Sequence, residues 1–377
     1  MIVYFDNAAT TKLEESVLEV MLPYLKESYY NPSAIYHEAR SLKADIQESR
    51  TQVARLINAD MDEIVFTGSG SESVNMAIKG LAFSEQMNGR HLITSCVEHH
   101  AVLDSFRWLE SQGYEVTYLP VTESGMIDPL VFEKAIRQDT ILASFMWVNN
   151  ETGAINDMES ICAIKERYGI TLHTDAIQAI KTELIDVKIL PIDMLSISAH
   201  KIGGPKGIGA LYKKRDLALT PMIHGGKQES GYRAGTENVS NIIGFGQAAS
   251  IQRDTVVQSN YKMKEIKQRF IEGITTIEKY IINGSQKTST SSILNACFAG
   301  VTAEALLLHL NKKGILASMG ASCNSMLIEP SYVLKAMNVP ELYIDGCLRF
   351  SFSKYNTIDE VDYTVSELKR IIKHCRS

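Results

Sequence analysis

Short runs of apolar, mostly β-branched residues alternate along the chain with stretches in which apolar residues recur every three or four positions. Runs of the first kind are typical of buried strands, and the second spacing is typical of amphipathic helices. The spacing predicts helices over 101–110 and 158–168. The candidate strands are 63–66, 91–94, 115–119, 141–145, 171–174 and 194–198. Repeated strand–helix–strand units predict an α/β fold whose mostly parallel sheet is covered by helices on both faces.

The second half of the chain departs from this alternation. Residues 207–212 follow a Gly/Pro turn and predict an added antiparallel strand, and residues 238–280 predict one long or broken helix that leaves the sheet. We expect the first fourteen residues to pack with the C-terminal part, so that a large domain spans 15–255 and a small domain combines 1–14 with 256–377. Patterns that predict an α+β arrangement in this small domain lie at 293–298, 303–311, 348–352 and 359–373.

The composition is typical of a soluble globular protein. Of 377 residues, 45% are hydrophobic and 22% charged, and this length accommodates two domains. The net charge of −6 and the lack of a Lys/Arg run argue against direct nucleic-acid binding. No stretch reaches the ~18 apolar residues of a membrane span, and the opening MIVYFDNAATT has no basic segment followed by an apolar one. We therefore expect a cytoplasmic protein that does not contact membranes.

The cysteines predict neither a zinc site nor a disulfide framework, because none of them form a CxxC pair. We expect each to be a small buried hydrophobe, with Cys323 as the exception discussed below. The six are Cys96, Cys162, Cys297, Cys323, Cys347 and Cys375.

The segment DMLSISAHKIGGPKGIGALY, residues 193–212, contains the strongest candidate for chemistry. Its apolar strand ends in Ser-Ala-His-Lys, and open α/β sheets bind ligands at the carboxyl ends of their strands. Glycines next to Lys201 allow the backbone and a ligand to approach closely. Lys201 follows apolar sequence, whereas an ordinary surface lysine is flanked by charge. We therefore expect Lys201 to be a functional amine, with Lys206 as the weaker candidate.

Such an amine points to pyridoxal 5′-phosphate (PLP), whose chemistry also needs a carboxylate at the ring nitrogen. Asp175 ends the apolar run ITLHTD one β-unit before Lys201, so that its side chain can reach the same crevice. Its alternative role is as the N-cap of a helix over AIQAI. Gln178, one turn further on, can donate a hydrogen bond to the phenolate oxygen of the cofactor.

A cofactor phosphate needs backbone N–H groups and hydroxyls at a helix N-terminus. The segment FTGSGSESVNMAIKG, residues 66–80, supplies a strand, a Gly/Ser turn and a helix, although such turns are common in α/β proteins. Ser198 and His200 are candidates to complete the phosphate site from the side of Lys201.

Two more strand ends carry polar groups suited to the cofactor ring. In VEHHAVLD, either His99 or His100 can stack on the ring and carry protons, while the other is structural. In VNNETG, residues 148–153, side-chain amides are available to the ring oxygen.

Ten segments of the chain stand in a characteristic order: YFDNAATT, NPSAIYHEAR, FTGSGSES, VEHHAVLD, VNNETG, HTDAIQA, SAHKIGGPKGIGALY, QESGYRAGTEN, ASCNSMLIEPSYVLKAM and LRFSFS. In these segments the chain, from residue 4 to about 356, resembles the cysteine desulfurases of the NifS/IscS type. Those enzymes belong to the class V aminotransferase group of fold-type I PLP enzymes. The resemblance implies a homodimer, with a large domain built on a mostly parallel, seven-stranded type of sheet and a smaller α+β domain.

The resemblance also implies roles for individual residues. Lys201 would be the Schiff-base lysine, Asp175 the partner of the ring nitrogen, and His99 the stacking histidine. Gln178 and Asn150 would contact the oxygen at ring position 3. The groups that would hold the phosphate are Gly70, Ser71, Ser198 and His200, with Thr236 of the second subunit.

Cys323 is the candidate nucleophile. It stands six residues before Glu329, as the catalytic cysteine of the resembling family stands before the Glu of its LEPSYVL motif. Small and polar residues upstream, with Pro330 at a helix start, predict a loop from which a thiolate can reach the cofactor. The resemblance implies that Cys323 takes sulfur from L-cysteine as a persulfide. Cys323 could also transiently ligate an iron–sulfur cluster, and we expect no other metal site.

Two residues are candidates for substrate binding. Arg349 in LRFSFS resembles the arginine that binds the substrate carboxylate in this family, a task that suits a bidentate fork. Without the resemblance, a surface ion pair would be an equally good interpretation of Arg349. Asn31, in NPSAIYHEAR, is the second candidate.

Alternatives within the fold are a plain aminotransferase and a selenocysteine lyase, and a different class of function is a non-catalytic scaffold with a degenerate PLP site. The loop thiol argues against the first, and intact Lys201, Asp175 and Cys323 argue against the last. Departures from the family pattern, at residues 68–71, around Cys323 and at 181–187, remove no required chemical group. The expected partners are L-cysteine and a sulfur-acceptor protein such as an iron–sulfur scaffold or a tRNA-thiolation enzyme.

Overall fold

The computed structural model describes residues 2–320 and 330–377. The strands in these residues, β1 to β12 in chain order, are Val3–Tyr4, Ile64–Thr67, His91–Ser95, Glu115–Leu119, Thr140–Met146, Thr171–Asp175, Met194–Ser198, Gly209–Lys213, Tyr280–Ile282, Ile293–Phe298, Ile315–Leu316 and Cys347–Ser351. The α-helices, α1 to α11, are Glu15–Lys26, His37–Leu56, Gly70–Ala82, His100–Ser111, Pro129–Ala135, Met158–Tyr168, Val239–Ile274, Ala303–Lys312, Tyr332–Ala336, Glu341–Ile344 and Ile358–Arg376.

Seven strands form the central sheet in the order β2-β8-β7-β6-β5-β3-β4. Neighbours from β7 to β4 are parallel, and β8 runs antiparallel to both β7 and β2. Strands β5, β7 and β8 are buried along their whole length, as expected when helices cover both faces of a sheet. The predicted α/β fold with a mostly parallel sheet is confirmed, including the antiparallel strand after the Gly/Pro turn.

A second core lies around a three-stranded antiparallel sheet in the order β12-β10-β9. The N-terminal strand β1 pairs in parallel with β11, and Phe5 packs edge-on against Phe270 and Phe352. The first residues of the chain therefore complete a core that is otherwise built from its last third.

Helix α7 connects the two cores. The pattern predicted one long or broken helix over 238–280, and the structure has one unbroken helix, Val239–Ile274. Phe245 and Ala248, near its start, pack into the core under the central sheet. Met263 and Phe270, near its end, pack into the second core.

The expectation for the cysteines is wrong at one pair. Cys297 and Cys347 are buried, as predicted, but they are joined in a disulfide with an S–S distance of 1.93 Å. The antiparallel register of β10 and β12 places the two residues directly opposite each other, a long-range pairing that local spacing does not reveal. Cys162 is buried as expected, whereas Cys96 and Cys375 are partly exposed. Cys323 lies outside the described residues.

Neither a membrane-spanning helix nor a metal-ligand cluster is found in residues 2–320 and 330–377. No helix there is long and apolar enough to cross a bilayer. No three His, Cys, Asp or Glu side chains in the same ranges are grouped so that they could hold a metal ion.

Candidate active site

The candidate residues meet at the carboxyl edge of the central sheet. Asp175 is the last residue of β6, and Ser198 is the last residue of β7. A 3₁₀ turn, Ala199–Lys201, follows directly and carries the lysine. Because β6 and β7 are parallel neighbours, Asp175 and Lys201 lie at the same end of the sheet and face one crevice. Open α/β sheets bind ligands at this end.

The amine of Lys201 faces the N-terminal segment of the chain. Its Nζ donates to the carbonyl of Ala8 at 2.6 Å and to that of Ala9 at 2.9 Å. The Ala8 carbonyl also accepts a hydrogen bond from Nε2 of Gln178 at 2.9 Å. The pattern of the sequence predicts no site role for Ala8 or Ala9. Their one indication in the sequence is that both lie in the motif YFDNAATT.

Asp175 is a buried carboxylate that faces two cationic or titratable groups. Burial raises its pKa, while the neighbouring His99 and Lys201 and the backbone N–H of Ile177 oppose that rise. The N–H of Ile177 donates to its Oδ1 at 3.0 Å. The alternative role of Asp175 as an N-cap is thus partly fulfilled, as a local turn.

His99 is fixed in one tautomer by the start of α4. It is the N-cap of this helix, and its Nδ1 accepts the N–H of Ala101 at 3.1 Å. In the neutral ring the proton is therefore on Nε2. Burial lowers the pKa of His99, the charge of Lys201 lowers it further, and Asp175 opposes both effects. A neutral imidazole with a fixed Nε2–H suits a ring that stacks on a ligand and donates one hydrogen bond.

The N-terminus of α3 is brought against the same strand ends. Ser69 caps the helix by accepting the N–H of Glu72 at 3.1 Å, and Gly70 is its first residue. A Cβ at Gly70 would collide with the Ile177 side chain and would lie 3.4 Å from Cβ of Ser198, so glycine allows this close approach. Unpaired N–H groups in the first turn of a helix attract an anion.

His200 contacts the N-terminal segment of the chain, and its imidazole is neutral. Its Nδ1 is 3.1 Å from Oγ1 of Thr10, and burial together with Lys201 and Lys206 lowers its pKa to about 4. Ser71 is exposed at the second position of α3, and Ser198 is buried with its Oγ 3.4 Å from the carbonyl of Ile208.

Buried polar atoms without a partner among the described residues surround the crevice. A buried polar atom is costly unless it is hydrogen-bonded, so such an atom beside a crevice is available to a ligand. These atoms are Oδ1 of Asn150, Oε1 of Gln178, Nε2 of His100 and Nε of Arg349.

Arg349 is a buried arginine and not a surface residue. It lies on β12, its side chain is 3% exposed, and its terminal nitrogens donate to Oδ1 of Asp6 at 2.7 Å and to the carbonyl of Asn150 at 3.0 Å. Arg349 therefore does form an ion pair, as in the alternative interpretation, but the pair lies in the interior and not at the surface. Two of the five donors are used by these contacts, and Nε is unpaired within residues 2–320 and 330–377.

Three candidates are not brought to this crevice by the described contacts. Asn31 is exposed, and its Oδ1 accepts the N–H of Ser33 at 2.9 Å in a local turn. Thr236 is exposed and lines a cavity of about 270 Å³ together with Thr67 and Gly68. Cys323 is outside the described residues, and its predicted role is not tested by the geometry.

Two buried carboxyl groups near the crevice escaped the sequence reasoning. Glu98 is fully buried and accepts hydrogen bonds from Oγ of Ser95 at 2.5 Å and from the N–H of Met146 at 2.7 Å. Burial raises its pKa to about 8. Glu151 is also buried, and Oγ of Ser331 donates to its Oε2 at 2.6 Å. Their only signal was their position inside the quoted motifs VEHH and VNNETG.

The chain is similar to proteins of known family across nearly its whole length. Residues 3–364 match the family described as Aminotransferase class-V. The chain is 45% identical over 375 residues to Cysteine desulfurase IscS of Methanosarcina thermophila, which covers 100% of this chain and 93% of that protein. It resembles the solved structure of a NifS-like protein with a TM-score of 0.94 and 32% identity, over 99% of this chain and 100% of the other. The structure of SspA in complex with cysteine matches with a TM-score of 0.83 and 38% identity, over 94% of this chain and 100% of the other.

Proposed function

Since the chain belongs to the class-V aminotransferase family and groups there with the cysteine desulfurases, we propose that it converts L-cysteine to L-alanine and passes the sulfur to Cys323. The family predicted from the motifs is confirmed by these similarities. Enzymes of this family depend on PLP, and we propose that Lys201 attaches PLP in this chain.

The observation that supports this proposal most strongly is the convergence of Lys201 and Asp175 in one crevice beside unpaired polar groups. PLP presents an aldehyde, a ring nitrogen, a ring oxygen and a phosphate, and the crevice has a complementary group for each. Lys201 supplies the amine and Asp175 the carboxylate. Because the ring oxygen accepts hydrogen bonds, Asn150 and Gln178 would meet it with their side-chain NH2 groups and not with their unpaired oxygens. The helix start at Gly70 offers backbone donors to the phosphate.

The remaining cofactor contacts follow from the positions already described. His99 would stack on the ring and donate from Nε2, because its Nδ1 is occupied by the N–H of Ala101. Ser71, Ser198 and His200 would complete the phosphate site. His200 would act there as a neutral donor, since its pKa is about 4.

Bound PLP supplies an electron sink that makes the Cα proton of an amino acid removable. The amine of Lys201 then serves as the base that takes this proton, and it returns a proton when alanine forms. The carboxylate of Asp175 favours a protonated ring nitrogen through its negative charge. Its burial in a low-dielectric crevice strengthens that interaction.

Sulfur leaves the substrate by attack of the Cys323 thiolate on the substrate sulfur. The C–S bond breaks, an S–S bond forms at Cys323, and the products of L-cysteine and one thiol are alanine and one persulfide. A thiolate is required because neither the thiol nor a hydroxyl is an effective nucleophile near neutral pH. The persulfide would then be transferred to an acceptor such as an iron–sulfur scaffold or a tRNA-thiolation enzyme.

Arg349 would bind the carboxylate of L-cysteine. Its unpaired Nε lies next to the terminal nitrogen that holds Asp6, so that a carboxylate can meet two N–H groups in one plane. Asn31 would be a further substrate contact. Burial of the guanidinium makes this recognition strong, because water competes weakly for the donors.

We also propose a homodimer in which Thr236 contributes to the phosphate site of the neighbouring subunit, and a division into domains 15–255 and 1–14 with 256–377. The separate cores under the central sheet and around the three-stranded sheet support this division. The proposed boundary at residue 255 falls inside helix α7, which therefore belongs to both domains.

Replacement of Cys323 by serine tests the sulfur-transfer step. The Cys323→Ser variant should retain PLP, while alanine formation from L-cysteine falls by at least about 10³-fold, because a hydroxyl is a poor nucleophile at neutral pH. Wild-type protein pulsed with L-cysteine should gain one sulfur atom on the peptide that contains Cys323, and a thiol reductant should remove it. Cys375→Ser, which alters a partly exposed cysteine, is the matched control.

Mass spectrometry and alanine assays can each contradict the proposed role of Cys323. If the added sulfur appears on Cys375 or Cys96, or if Cys323→Ser forms alanine at the wild-type rate, the proposed acceptor is wrong. Alanine formation from selenocysteine but not from cysteine would favour the lyase alternative.

A further inference from the structure

Lys181 is a buried lysine with an unusual environment. It ends the 3₁₀ turn Ala179–Lys181, its exposure is 6%, and its Nζ donates to the carbonyl of Phe352 at 2.6 Å. In residues 2–320 and 330–377 no carboxylate forms an ion pair with it. Burial of an ammonium ion without a counter-ion is costly, so a purely structural origin of this lysine needs a compensating benefit.

A short network of hydrogen bonds connects Lys181 to Lys201. The carbonyl that accepts from Lys181 belongs to Phe352, and Oγ of the preceding Ser351 accepts the N–H of Ala8 at 2.8 Å. The carbonyl of Ala8 in turn accepts from Nζ of Lys201 at 2.6 Å. Both lysines also line one cavity of about 490 Å³. The two amines are therefore held on adjoining backbone segments of one buried region.

The two amines repel each other when both carry a proton. Burial, together with the charges of Lys201 and Arg349, lowers the pKa of Lys181 to about 7. Interaction between two titrating groups is mutual, so a proton on Lys181 disfavours a proton on Lys201 to the same extent.

Three acidic groups in this region have other partners, whereas Glu15, which also lines the cavity, forms no ion pair with Lys181. Glu14, which lines the cavity, pairs with Lys354 at 3.0 Å. Glu360, on the same wall, accepts from Nδ2 of Asn356 at 3.0 Å and from a backbone N–H. Glu183 accepts from Oγ1 of Thr182. Among residues 2–320 and 330–377, the charged or titratable groups that interact with Lys201 include Asp175, His99, His200 and Lys181.

We propose that Lys181 is a positioning residue for Lys201: its ammonium ion, held on the Phe352 carbonyl, places a second positive charge near the cofactor-attachment amine and favours the uncharged form of that amine. This inference rests on the proposed function of Lys201. An uncharged amine is the form that attacks an aldehyde, and a neighbouring cation is one of the physical means of obtaining it at neutral pH.

Three variants separate this electrostatic role from a structural tie to Phe352. Lys181→Gln removes the charge but keeps an N–H donor, and Lys181→Arg keeps the charge. The control is Lys267→Met. Lys267 is a second buried lysine, its Nζ bonds to Ser289 and Thr290, and burial lowers its pKa to about 8.

The visible absorption band of the PLP-loaded protein, titrated with pH in the absence of substrate, is the readout. For Lys181→Gln the midpoint should move upward by about 0.5 to 1 pH unit, because a repelling charge has been removed. Re-attachment of PLP to the stripped protein at pH 7 should slow by about three- to tenfold, in line with the smaller fraction of uncharged amine. Lys181→Arg, which carries its charge throughout the titration, should not move the midpoint upward, and Lys267→Met should keep the wild-type midpoint.

Each other outcome has a definite meaning. An unchanged midpoint in Lys181→Gln, or an equal shift in Lys267→Met, would overturn the role of Lys181. If Lys181→Gln does not fold, Lys181→Met is titrated in its place with the same expectation. A wild-type protein that shows no PLP band refutes the proposed function itself, and is thereby distinguished from a failure of this inference.

Discussion

The carboxyl edge of the central sheet and the three-stranded sheet β12-β10-β9 contribute to the crevice in different ways. The first supplies several groups from strands that are neighbours in the sheet, among them His99, Asn150, Asp175 and Lys201. The second supplies one side chain, Arg349, whose contacts reach Asp6 and Asn150 at distant positions in the chain. The protonation of groups at the sheet edge is set by burial and by one another, whereas Arg349 is paired with its own counter-ion, Asp6.

This difference implies that the two regions control different quantities. Under the proposed function, the sheet edge would determine whether PLP is attached and in which protonation state, so changes there should affect cofactor content and the chemical step. The three-stranded sheet would determine how the substrate carboxylate is bound, so changes there should affect KM. Variants of each region test this division.

The largest expected effect is at Lys201. Lys201→Ala should lose the visible absorption band of the bound cofactor, and alanine formation should fall by at least about 10³-fold, because both the attachment amine and the base are removed. Lys206→Ala is the control, since Lys206 is exposed five residues away. Absorption spectra and alanine assays measure the result, and a band that survives in Lys201→Ala would contradict the assignment.

A smaller effect is expected at Arg349. Arg349→Lys keeps the charge but not the planar fork, so KM for L-cysteine should rise by about 10- to 100-fold while PLP content is unchanged. Steady-state kinetics measure the change, with Arg370→Lys on the exposed face of α11 as the control. Loss of PLP from Arg349→Lys, with KM unaltered, would show that the three-stranded sheet affects cofactor attachment and not substrate binding.

The smallest effect concerns stability at the sheet edge. The folded protein holds a proton on Glu98 up to pH about 8, whereas an ordinary glutamate loses it near 4.5. Between these values the native state binds more protons than the unfolded chain, so the free energy of unfolding falls as pH rises, by up to about 1.4 kcal/mol per pH unit. Glu98→Gln lacks this slope, and its stability relative to wild type should improve from pH 5 to 8.

Urea unfolding at several pH values checks the expectation for Glu98. Glu98→Ala is the companion variant, since it leaves the N–H of Met146 without its acceptor and should be less stable than Glu98→Gln by about 1–3 kcal/mol at every pH. Parallel pH dependences for wild type and Glu98→Gln would contradict a protonated Glu98.

The central sheet was predictable because its strands are short and mostly buried, and because each has a recognisable local pattern. The predicted ranges 115–119 and 194–198 coincide with β4 and β7. The location of Lys201 and Asp175 followed from the same pattern, since a residue that ends a parallel strand must lie at the carboxyl edge. No long-range information was needed for these positions.

Features that depend on contacts between distant segments were not predictable. The hydrogen bonds from Lys201 to the carbonyls of Ala8 and Ala9 join residues more than 190 positions apart. The Cys297–Cys347 disulfide depends on strand register across 50 positions. Lys181 and Glu98 appear as ordinary charged residues in the sequence, and only the packing around them reveals that their side chains are buried.

Helix α7 has a consequence for how the molecule loses its structure on heating. At 1.5 Å per residue its 36 residues extend about 54 Å, and its two ends are embedded in different cores. If either core melted, the same helix would expose apolar side chains on that half and lose the tertiary packing that stabilises most helices. The two cores are thereby thermodynamically linked, and the calorimetric trace should show a single cooperative transition instead of two resolved peaks.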